Sequence, residues 1–484
     1  MDRLAFEHHL NSPQGLGHVP AAAGTATAGG AACCDEISLA VSVEGDRVTG
    51  AGFTASGCGS AHAAGSAAVT LARGAGVLAA ARIGVDEIAQ ELGGLSPAKW
   101  HAAELASDAL ARALGTAVTR GAQLPATPRR TLVAMSGGVD SAVAAHLVAR
   151  EGEAAAVTLE LWADPENDAE RSCCSASAVA QARALAHSMD IPHFTIDLRA
   201  EFRAGVVEPF IAGYAAGETP NPCVGCNGHV RLDAMLAVAD RLGAGRLATG
   251  HYARIAEPEN ERGPLLRAAA DPAKDQTYML AALAPASLAR MHFPLGDLRK
   301  PAVRAIAGEA GLSVANKADS QDLCFLAGTD RARFLARHGE IGDRPGVLVG
   351  SDGSVLGQHA GQHRFTVGQR RGLGLAHGEP LYVLDKDAAS GRVTVGRQSE
   401  LRCTEVTIRG ARLHRPGTRV DRVKLRYRQR PLRARLAGGP AAGAHRRLAI
   451  ELADAEDGAA PGQLACLMDG ELVVGWGTIT RTLD

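Results

Sequence analysis

The sequence predicts an α/β doubly wound parallel sheet, preceded by an N-terminal α+β domain and followed by a small central module and a C-terminal β-barrel. Three observations carry this expectation. Short apolar runs of strand length alternate with helical patterns from Thr131 to Thr249. The first of those runs ends in Ser136-Gly137-Gly138 and feeds a helix, which is where open sheets of this kind hold anions. Beyond about residue 399, strand-like runs separated by turns follow one another at short intervals.

A chain of 484 residues has room for two to four domains. Hydrophobic residues make up 46% and aromatic residues 4%, and the formal net charge of −1 excludes no partner, because charge can be unevenly placed. No apolar run is long enough to span a bilayer, which predicts no membrane contact. Met1 to Leu10 contains Asp2, Glu7, His8 and His9 and lacks an apolar signal core, so a cytoplasmic location is expected. Ten cysteines in such a chain argue for thiol chemistry or metal binding rather than a disulfide framework. The boundaries read as 1–122 for the N-terminal domain, 123–129 for a linker, 130–325 for the α/β domain, 326–398 for the central module and 399–484 for the barrel.

In chain order, residues 1 to about 30 are rich in Gly, Ala and Pro and read as irregular. Ile37 to Val43 alternates apolar and polar, Gly45-Asp46 makes a turn, and Val48 to Thr54 returns as a second strand. A small-residue helix follows to about Arg73, then helical patterns over Asp86 to Leu92 and Pro97 to Leu114. Cys33, Asp35, Cys58 and His101 are thiol, carboxylate and imidazole groups of the kind that ligate zinc or iron–sulfur centres. Leu124-Pro125-Ala126-Thr127-Pro128 reads as a proline-punctuated linker.

The α/β domain opens with the buried strand Leu132 to Met135. A helix follows in which Val139, Val143 and Leu147 share one face, and Gly152 stands where it should stop. Further strands are expected at Ala154 to Trp162, Pro192 to Ile196 and Arg246 to Thr249. Helices are expected at Ala176 to Met189, from about Ala200 to Gly217, and at Val230 to Leu242. Ala134, Met135, Ser136, Gly137, Gly138, Val139, Asp140 and Ser141 form the anion-binding turn, and Leu159 and Gly250 stand at neighbouring strand ends. The turn lacks the Lys-Ser/Thr pair of a Walker loop. In the barrel, strands are expected at Cys403 to Ile408, Val420 to Tyr427, Arg446 to Glu451, Gln463 to Asp469 and Glu471 to Ile479. Tyr427 lies inside an arginine-rich run, which favours contact with RNA phosphate and bases. Cys403 and Cys466 read as core thiols, and Cys173-Cys174 suggests no role.

The string Ser136-Gly137-Gly138-Val139-Asp140-Ser141 matches the pyrophosphate loop of the ATP pyrophosphatases, which release pyrophosphate and adenylate an oxygen. From Arg130 onward the chain resembles the MnmA-type tRNA-specific 2-thiouridylases. The motifs are Thr219-Pro220-Asn221-Pro222, Cys226-Asn227, Ala248-Thr249-Gly250-His251-Tyr252, Lys274-Asp275-Gln276, Cys324-Phe325 and Thr366 to Gly374. The resemblance implies ATP-dependent 2-thiolation of the wobble uridine (U34) of the tRNAs for Lys, Glu and Gln, with ATP and Mg²⁺ at the loop. It implies Cys226 as nucleophile, Cys324 as persulfide carrier and Asp140 as a catalytic carboxylate; the persulfide either attacks C2 directly or is released as sulfide by Cys226, with a transient Cys226–Cys324 disulfide. Asn221, Pro222 and Cys223 match the segment facing the target base, and Lys274, Asp275, Gln276, Arg426 and Tyr427 match tRNA-contacting segments. A cluster held by Cys223, Cys226 and Cys324 is the alternative to a persulfide. The sulfur donor implied is a cysteine desulfurase or a sulfur-relay protein.

Residues 1–120 resemble the NifU-like iron–sulfur scaffolds through Ala32-Cys33-Cys34-Asp35, Gly57-Cys58-Gly59-Ser60-Ala61 and His101-Ala102. The family's third cysteine is here Ala102, and Cys34 replaces a glycine. Either Cys34 restores the ligand count, or the domain is a docking module. A scaffold or carrier activity for the whole chain, and another AMP-forming synthetase, are the alternative functions.

Overall fold

The computed structural model describes residues 3–29, 34–164, 175–257, 263–319, 323–326, 328–376 and 378–481. It divides into two compact units. The first comprises Met1–Arg199, Asp233–His251 and Arg290–Phe325.

That unit begins with the N-terminal domain. Helix α1 (Arg3–Asn11) precedes an antiparallel sheet β1 (Gly24–Gly29), β2 (Glu36–Glu44) and β3 (Arg47–Ser56), in the order β1-β2-β3. The β2–β3 hairpin turns at Gly45, whose φ of 61° is readily adopted only without a side chain. Helices α2 (Gly59–Ala72), α3 (Val77–Ala80), α4 (Val85–Glu91) and α5 (Trp100–Gly121) follow. Residues 3–29 are therefore not irregular as expected. Strand β1, Gly-Thr-Ala-Thr-Ala-Gly, lacks bulky apolar residues because it lies directly under α5. A Cβ on Gly24 would stand 2.5 Å from the Ala113 carbonyl oxygen and the Ala117 nitrogen. In α1, His9 is buried and its Nδ1 lies 2.9 Å from the Ser66 hydroxyl.

The central sheet is all parallel: Met291–His292, β7 (Ala244–Thr249), β4 (Thr127–Ala134), β5 (Glu153–Glu160) and β6 (His193–Asp197), in that order. Leu132 pairs with Ala155 on one side and Leu247 on the other, and all three are fully buried. Strands buried on both faces read as continuous apolar runs, hence their visibility in the sequence. Helices α6 (Val139–Glu151) and α7 (Ala176–Ser188) supply crossovers.

Strand β6 is the outer strand, and the N-terminal domain covers it. The His193 amide donates to the Ala81 carbonyl at 2.9 Å. Gly115 of α5 lies so close to β6 that a Cβ would stand 1.9 Å from the Thr195 carbonyl oxygen. Ion pairs Arg183–Asp108 at 2.7 Å and Arg112–Glu160 at 2.8 Å join the two layers. A cleft of about 530 Å³ lies at the same junction, where burial pushes the Glu160 carboxyl above its ordinary range. The stretch expected as a linker is pinned: Gln123 N donates to Gly45 O at 2.8 Å, Leu124 N to Arg241 O at 3.0 Å and Thr127 N to Gly243 O at 3.0 Å. Strand β4 begins at Thr127, and the Pro97 to Leu114 helix extends to Gly121.

The second unit comprises Ala200–Leu232, Tyr252–Ala289 and Leu326–Asp484. Its central module is a four-stranded sheet of Gly346–Gly350, Val355–His359, Tyr382–Asp387 and Arg392–Gly396. Lys386 is 1% exposed. Its Nζ donates to the Phe365 carbonyl at 3.0 Å and the Glu218 carbonyl at 3.4 Å, and burial pushes its pKa down to about 7. The barrel strands are Arg402–Leu413, Arg422–Lys424, Leu432–Leu436, Gly443–Asp457, Leu464–Asp469 and Leu472–Ile479. The first of these pairs with both Gly443–Asp457 and Leu472–Ile479, which closes the barrel over Ile408, Val423, Ile450, Leu467 and Val474. The strand expected over Val420 to Tyr427 shrinks to Arg422–Lys424, because a turn follows in which the Leu425 amide donates to Gln429 Oε1. No helix among the described residues is long and apolar enough to cross a membrane.

Candidate functional site

The glycine turn sits at the carboxyl end of β4. Ala134 pairs with Val157 and Thr249, and the Met135 amide donates to the Val157 carbonyl. Gly138 caps α6, a 13-residue helix whose N-terminal amides and dipole favour an anion. The Ser141 hydroxyl accepts from the Ser136 amide at 3.1 Å and lies 3.1 Å from the Gly138 carbonyl, folding the turn back on itself. Gly137 has a φ of 68°, and a Cβ there would stand 2.8 Å from the Ala178 carbonyl. A Cβ on Gly138 would meet nothing nearer than Ser136 Oγ at 3.6 Å, so its side of the turn is open. Gly250 serves the turn from beneath: a Cβ would stand 2.8 Å from the Ser141 nitrogen. Val139 and Leu159 are buried supports.

Asp140, in the first turn of α6, is held by Lys300 Nζ at 2.7 and 2.9 Å. Lys300 also reaches Asp319 at 2.9 Å, and Arg304 reaches the same carboxylate at 3.1 Å. Lys317 Nζ donates to the Gly137 carbonyl at 2.9 Å. Sequence reading missed these four residues. They lie far from the loop along the chain, with no motif spacing to connect them.

Cys324 belongs to the first unit and is partly exposed. In the second unit, Asn221 caps the short helix Pro222–Gly225, its side chain accepting from the Cys223 amide at 3.1 Å. Cys226 ends that turn and is 6% exposed, while Cys223 is partly exposed. The Asn227 side chain donates to the Met279 carbonyl at 3.4 Å. Cys403 is half-buried and packs against the barrel core, and burial pushes the Cys466 thiol up to about 12. Cys173 and Cys174 lie outside the described residues.

The expected RNA-contacting residues divide. Asp275 accepts from Lys424 Nζ at 2.9 Å and from the Ala269 amide at 3.1 Å, and Gln276 accepts from the Tyr252 amide at 2.9 Å. Both side chains are spent inside the unit. Lys274 is partly exposed and Arg426 exposed. Tyr427 packs 6.3 Å from the Tyr278 ring, and burial raises its phenol pKa. Arg428 and Arg430 are exposed, whereas Arg433 and Arg435 pair with Asp454 and Glu451.

In the N-terminal domain Asp35, Cys58 and His101 converge, with ligand atoms within 4.8 Å of one another. Among the described residues they are the only such group of three or more. Asp35 accepts from the Cys58 amide at 2.8 Å and lies 3.0 Å from both Cys58 Sγ and His101 Nε2. The Cys58 hydrogen bonds, with His101, hold its carboxyl down at about 2. Gly57, with φ of 114°, makes room, because a Cβ there would overlap the carboxylate. His101 Nδ1 faces the Ala98 carbonyl at 3.0 Å, which leaves Nε2 aimed at the carboxylate, an arrangement that a shared proton or cation satisfies.

One sulfur, one oxygen and one nitrogen suit a single tetrahedral ion such as zinc better than a thiolate-held cluster. Ala102, at the family's third cysteine position, is fully buried. Cys34 is exposed with φ of 55° and stands outside the group, so it does not restore the ligand count there. Cys33 lies outside the described residues.

Residues 4–122 match the NifU-like N terminal domain family, 129–328 the tRNA methyl transferase HUP domain, 332–397 the tRNA methyl transferase PRC-barrel domain and 404–479 the aminomethyltransferase beta-barrel domain. A protein of Rubrobacter xylanophilus named bifunctional protein NifU/MnmA is 43% identical over 98% of this chain and 97% of its own length. A tRNA-specific 2-thiouridylase MnmA of Xanthobacter autotrophicus is 43% identical over 73% of this chain and 93% of its own. Its counterpart in Magnetococcus marinus is 40% identical over 73% and 99%.

Proposed function

Because the chain belongs to the MnmA-type tRNA 2-thiouridylases and carries a NifU-like domain ahead of them, we propose that it replaces the C2 oxygen of the wobble uridine of tRNA with sulfur, using ATP. The observation that carries the reading is the open-sided glycine turn at the α6 N-terminus, in a chain that also has Cys226 and Cys324 at the positions matching the family's two reactive cysteines.

The chemistry divides between those parts. The turn's amides would bind the polyphosphate, and Asp140 would hold the magnesium that neutralises its charge. The uridine C2 oxygen attacks the α-phosphorus and pyrophosphate leaves. A persulfide on Cys324 then attacks C2, and the oxygen departs with AMP. Cys226 thiolate attacks Cys324 Sγ, which breaks the S–S bond, leaves 2-thiouridine and forms a Cys226–Cys324 disulfide. Two electrons from an external thiol reset it. The base must be splayed from the anticodon stack for this, and Asn221, Pro222, Cys223 and Tyr427 are assigned to receive it. Lys274, Arg426, Arg428 and Arg430 are assigned to the RNA backbone.

The sulfur donor is a cysteine desulfurase or a relay protein. The N-terminal domain serves that donor from a fixed position, since residues 123–127 are pinned rather than free to swing. Asp35, Cys58 and His101 would hold one divalent ion. That ion keeps a thiolate ionised when bound.

Mass spectrometry of tRNA from cells lacking the gene tests the whole reading: 2-thiouridine at position 34 disappears and returns with the wild-type chain but not with Cys324→Ser. Unchanged 2-thiouridine in the deletion strain would overturn it.

A further inference from the structure

Glu160 ends β5 and Asp197 ends β6, at the carboxyl end of the parallel sheet, where folds of this kind bind ligands. Both line the cleft of about 530 Å³ at the junction with the N-terminal domain, and Arg199 lines it with them. The rest of the lining comes from that domain and includes Arg112 and Thr116 of α5 and Thr25, Ser38 and Thr54 of the three-stranded sheet. No residue of the glycine turn takes part. Leu159, which precedes Glu160, faces the other side of the sheet, as consecutive strand residues do. The volume falls in the range of small-molecule sites, about 300–1,000 Å³.

The chemistry of the lining narrows what fits. Arg112 pairs with Glu160 at 2.8 Å on the buried side, and Arg199 pairs with Asp197 on the exposed side. The arginines and carboxylates balance, so the cleft has no excess of either sign to draw in a phosphate, a nucleic-acid backbone or a polyamine. Phe53 is 1% exposed and offers no open ring face for a nucleobase. Thr195 also lines the cleft, and its buried hydroxyl has no hydrogen-bond partner among the described residues, a group that a ligand would satisfy. Burial pushes the Glu160 carboxyl up even with Arg112 beside it; Asp108 and Asp197 push the same way, and Arg199 opposes them. The buried carboxylate is therefore short of positive charge. A molecule with one ammonium and one carboxylate meets these demands together and leaves the net charge unchanged. We propose that the cleft binds a small zwitterion of the α-amino-acid class, its ammonium on Glu160 and Asp197 and its carboxylate on Arg112 and Arg199, and that the bound molecule clamps the N-terminal domain to the sheet. The clamp follows from the lining, which belongs to both layers, so that the ligand loses partners whenever they separate.

The test uses the full chain without tRNA. Each of the common L-amino acids is titrated calorimetrically up to about 5 mM, with glucose, inorganic pyrophosphate and putrescine as neutral, anionic and dicationic comparisons. At least one amino acid binds with a Kd below about 1 mM, and the comparison compounds do not bind. Glu160→Gln weakens binding about 10-fold or more, since it removes a charged partner from a buried position, and Arg199→Gln weakens it only about two- to fivefold, because that pair is exposed. Thr54→Trp fills the cleft from an exposed position and keeps both ion pairs; it abolishes binding and carries the test if Glu160→Gln melts early. Binding at mildly acidic pH releases a fraction of a proton, read from the heats in buffers of different ionisation enthalpy, and this release is missing in Glu160→Gln. At about ten times Kd the His193 amide, which donates across the junction to Ala81, exchanges about tenfold more slowly. A saturating non-hydrolysable ATP analogue leaves the affinity unchanged. Binding of no amino acid, preference for a comparison compound, equal affinity in wild type, Glu160→Gln and Thr54→Trp, competition by the ATP analogue, or unaltered His193 exchange overturns the proposal.

Discussion

Gly115→Ala gives a sign test of how the N-terminal domain sits on the sheet. In an isolated helix the change is favourable, since alanine exceeds glycine by about 1 kcal/mol in helix propensity. In this structure the new methyl would stand 1.9 Å from the Thr195 carbonyl oxygen and 2.8 Å from its carbon. Both are backbone atoms of β6, which cannot rotate away as a side chain can. Relief therefore requires α5 to retreat by more than 1 Å or so, the regime in which overpacking costs about 1–3 kcal/mol. That retreat also draws Asp108 from Arg183, whose side chain is 6% exposed. Net destabilisation of the junction by about 1–3 kcal/mol is expected, the steric cost outweighing the propensity gain. The local reporter is the His193 amide, which donates across the junction to Ala81. Its hydrogen exchange should accelerate about 5- to 150-fold, and the melting midpoint should fall by a few degrees. Unchanged or slower exchange, or a higher midpoint, would refute the docking and leave α5 to be judged as a free helix.

Two further outcomes follow from buried ionisable groups. Lys386 has its pKa lowered from 10.5 to about 7, so between those values the unfolded chain binds a proton that the folded one does not. Stability of the second unit should therefore rise with pH, by at most about 3 kcal/mol from pH 7 to 9. In Lys386→Met that rise should vanish; urea midpoints at the two pH values decide, and parallel behaviour of variant and wild type would count against it. In the N-terminal domain, the wild-type chain expressed in zinc-supplemented medium should carry about one ion, and Asp35→Ala or Cys58→Ser should lose it, as read by plasma mass spectrometry. Metal retained by both variants would place the ion elsewhere.

Much of the sheet was legible because parallel strands buried on both faces appear as unbroken apolar runs, as at Leu132 to Met135 and Ala154 to Leu159. The glycine turn was legible because its geometry is set by consecutive residues. The Asp35, Cys58 and His101 group was found through family motifs, and the geometry adds the glycine that lets the carboxylate in. What escaped has a common cause. Strand β1 carries threonines and small residues because a helix lies directly over it, so it shows no apolar alternation. The Lys300–Asp140 and Lys317–Gly137 bonds join positions 160 and 180 residues apart, where side-chain spacing carries no signal. Asp275 and Gln276 illustrate the converse, since polar residues inside a recognised motif hold the fold together from within.

The covered edge of β6 has a consequence for how the chain is made. An outer strand with bare amides and carbonyls is a template for pairing with another molecule. Parallel sheets are exposed to this hazard for longer because they assemble slowly. Here the covering domain lies earlier in the chain than the edge it covers, so on the ribosome it is complete before β6 emerges. The guard is in place before the hazard exists. Excising residues 1–122 would remove more than a domain: it would release the sheet into the cell with its outermost strand unpaired at the moment of folding.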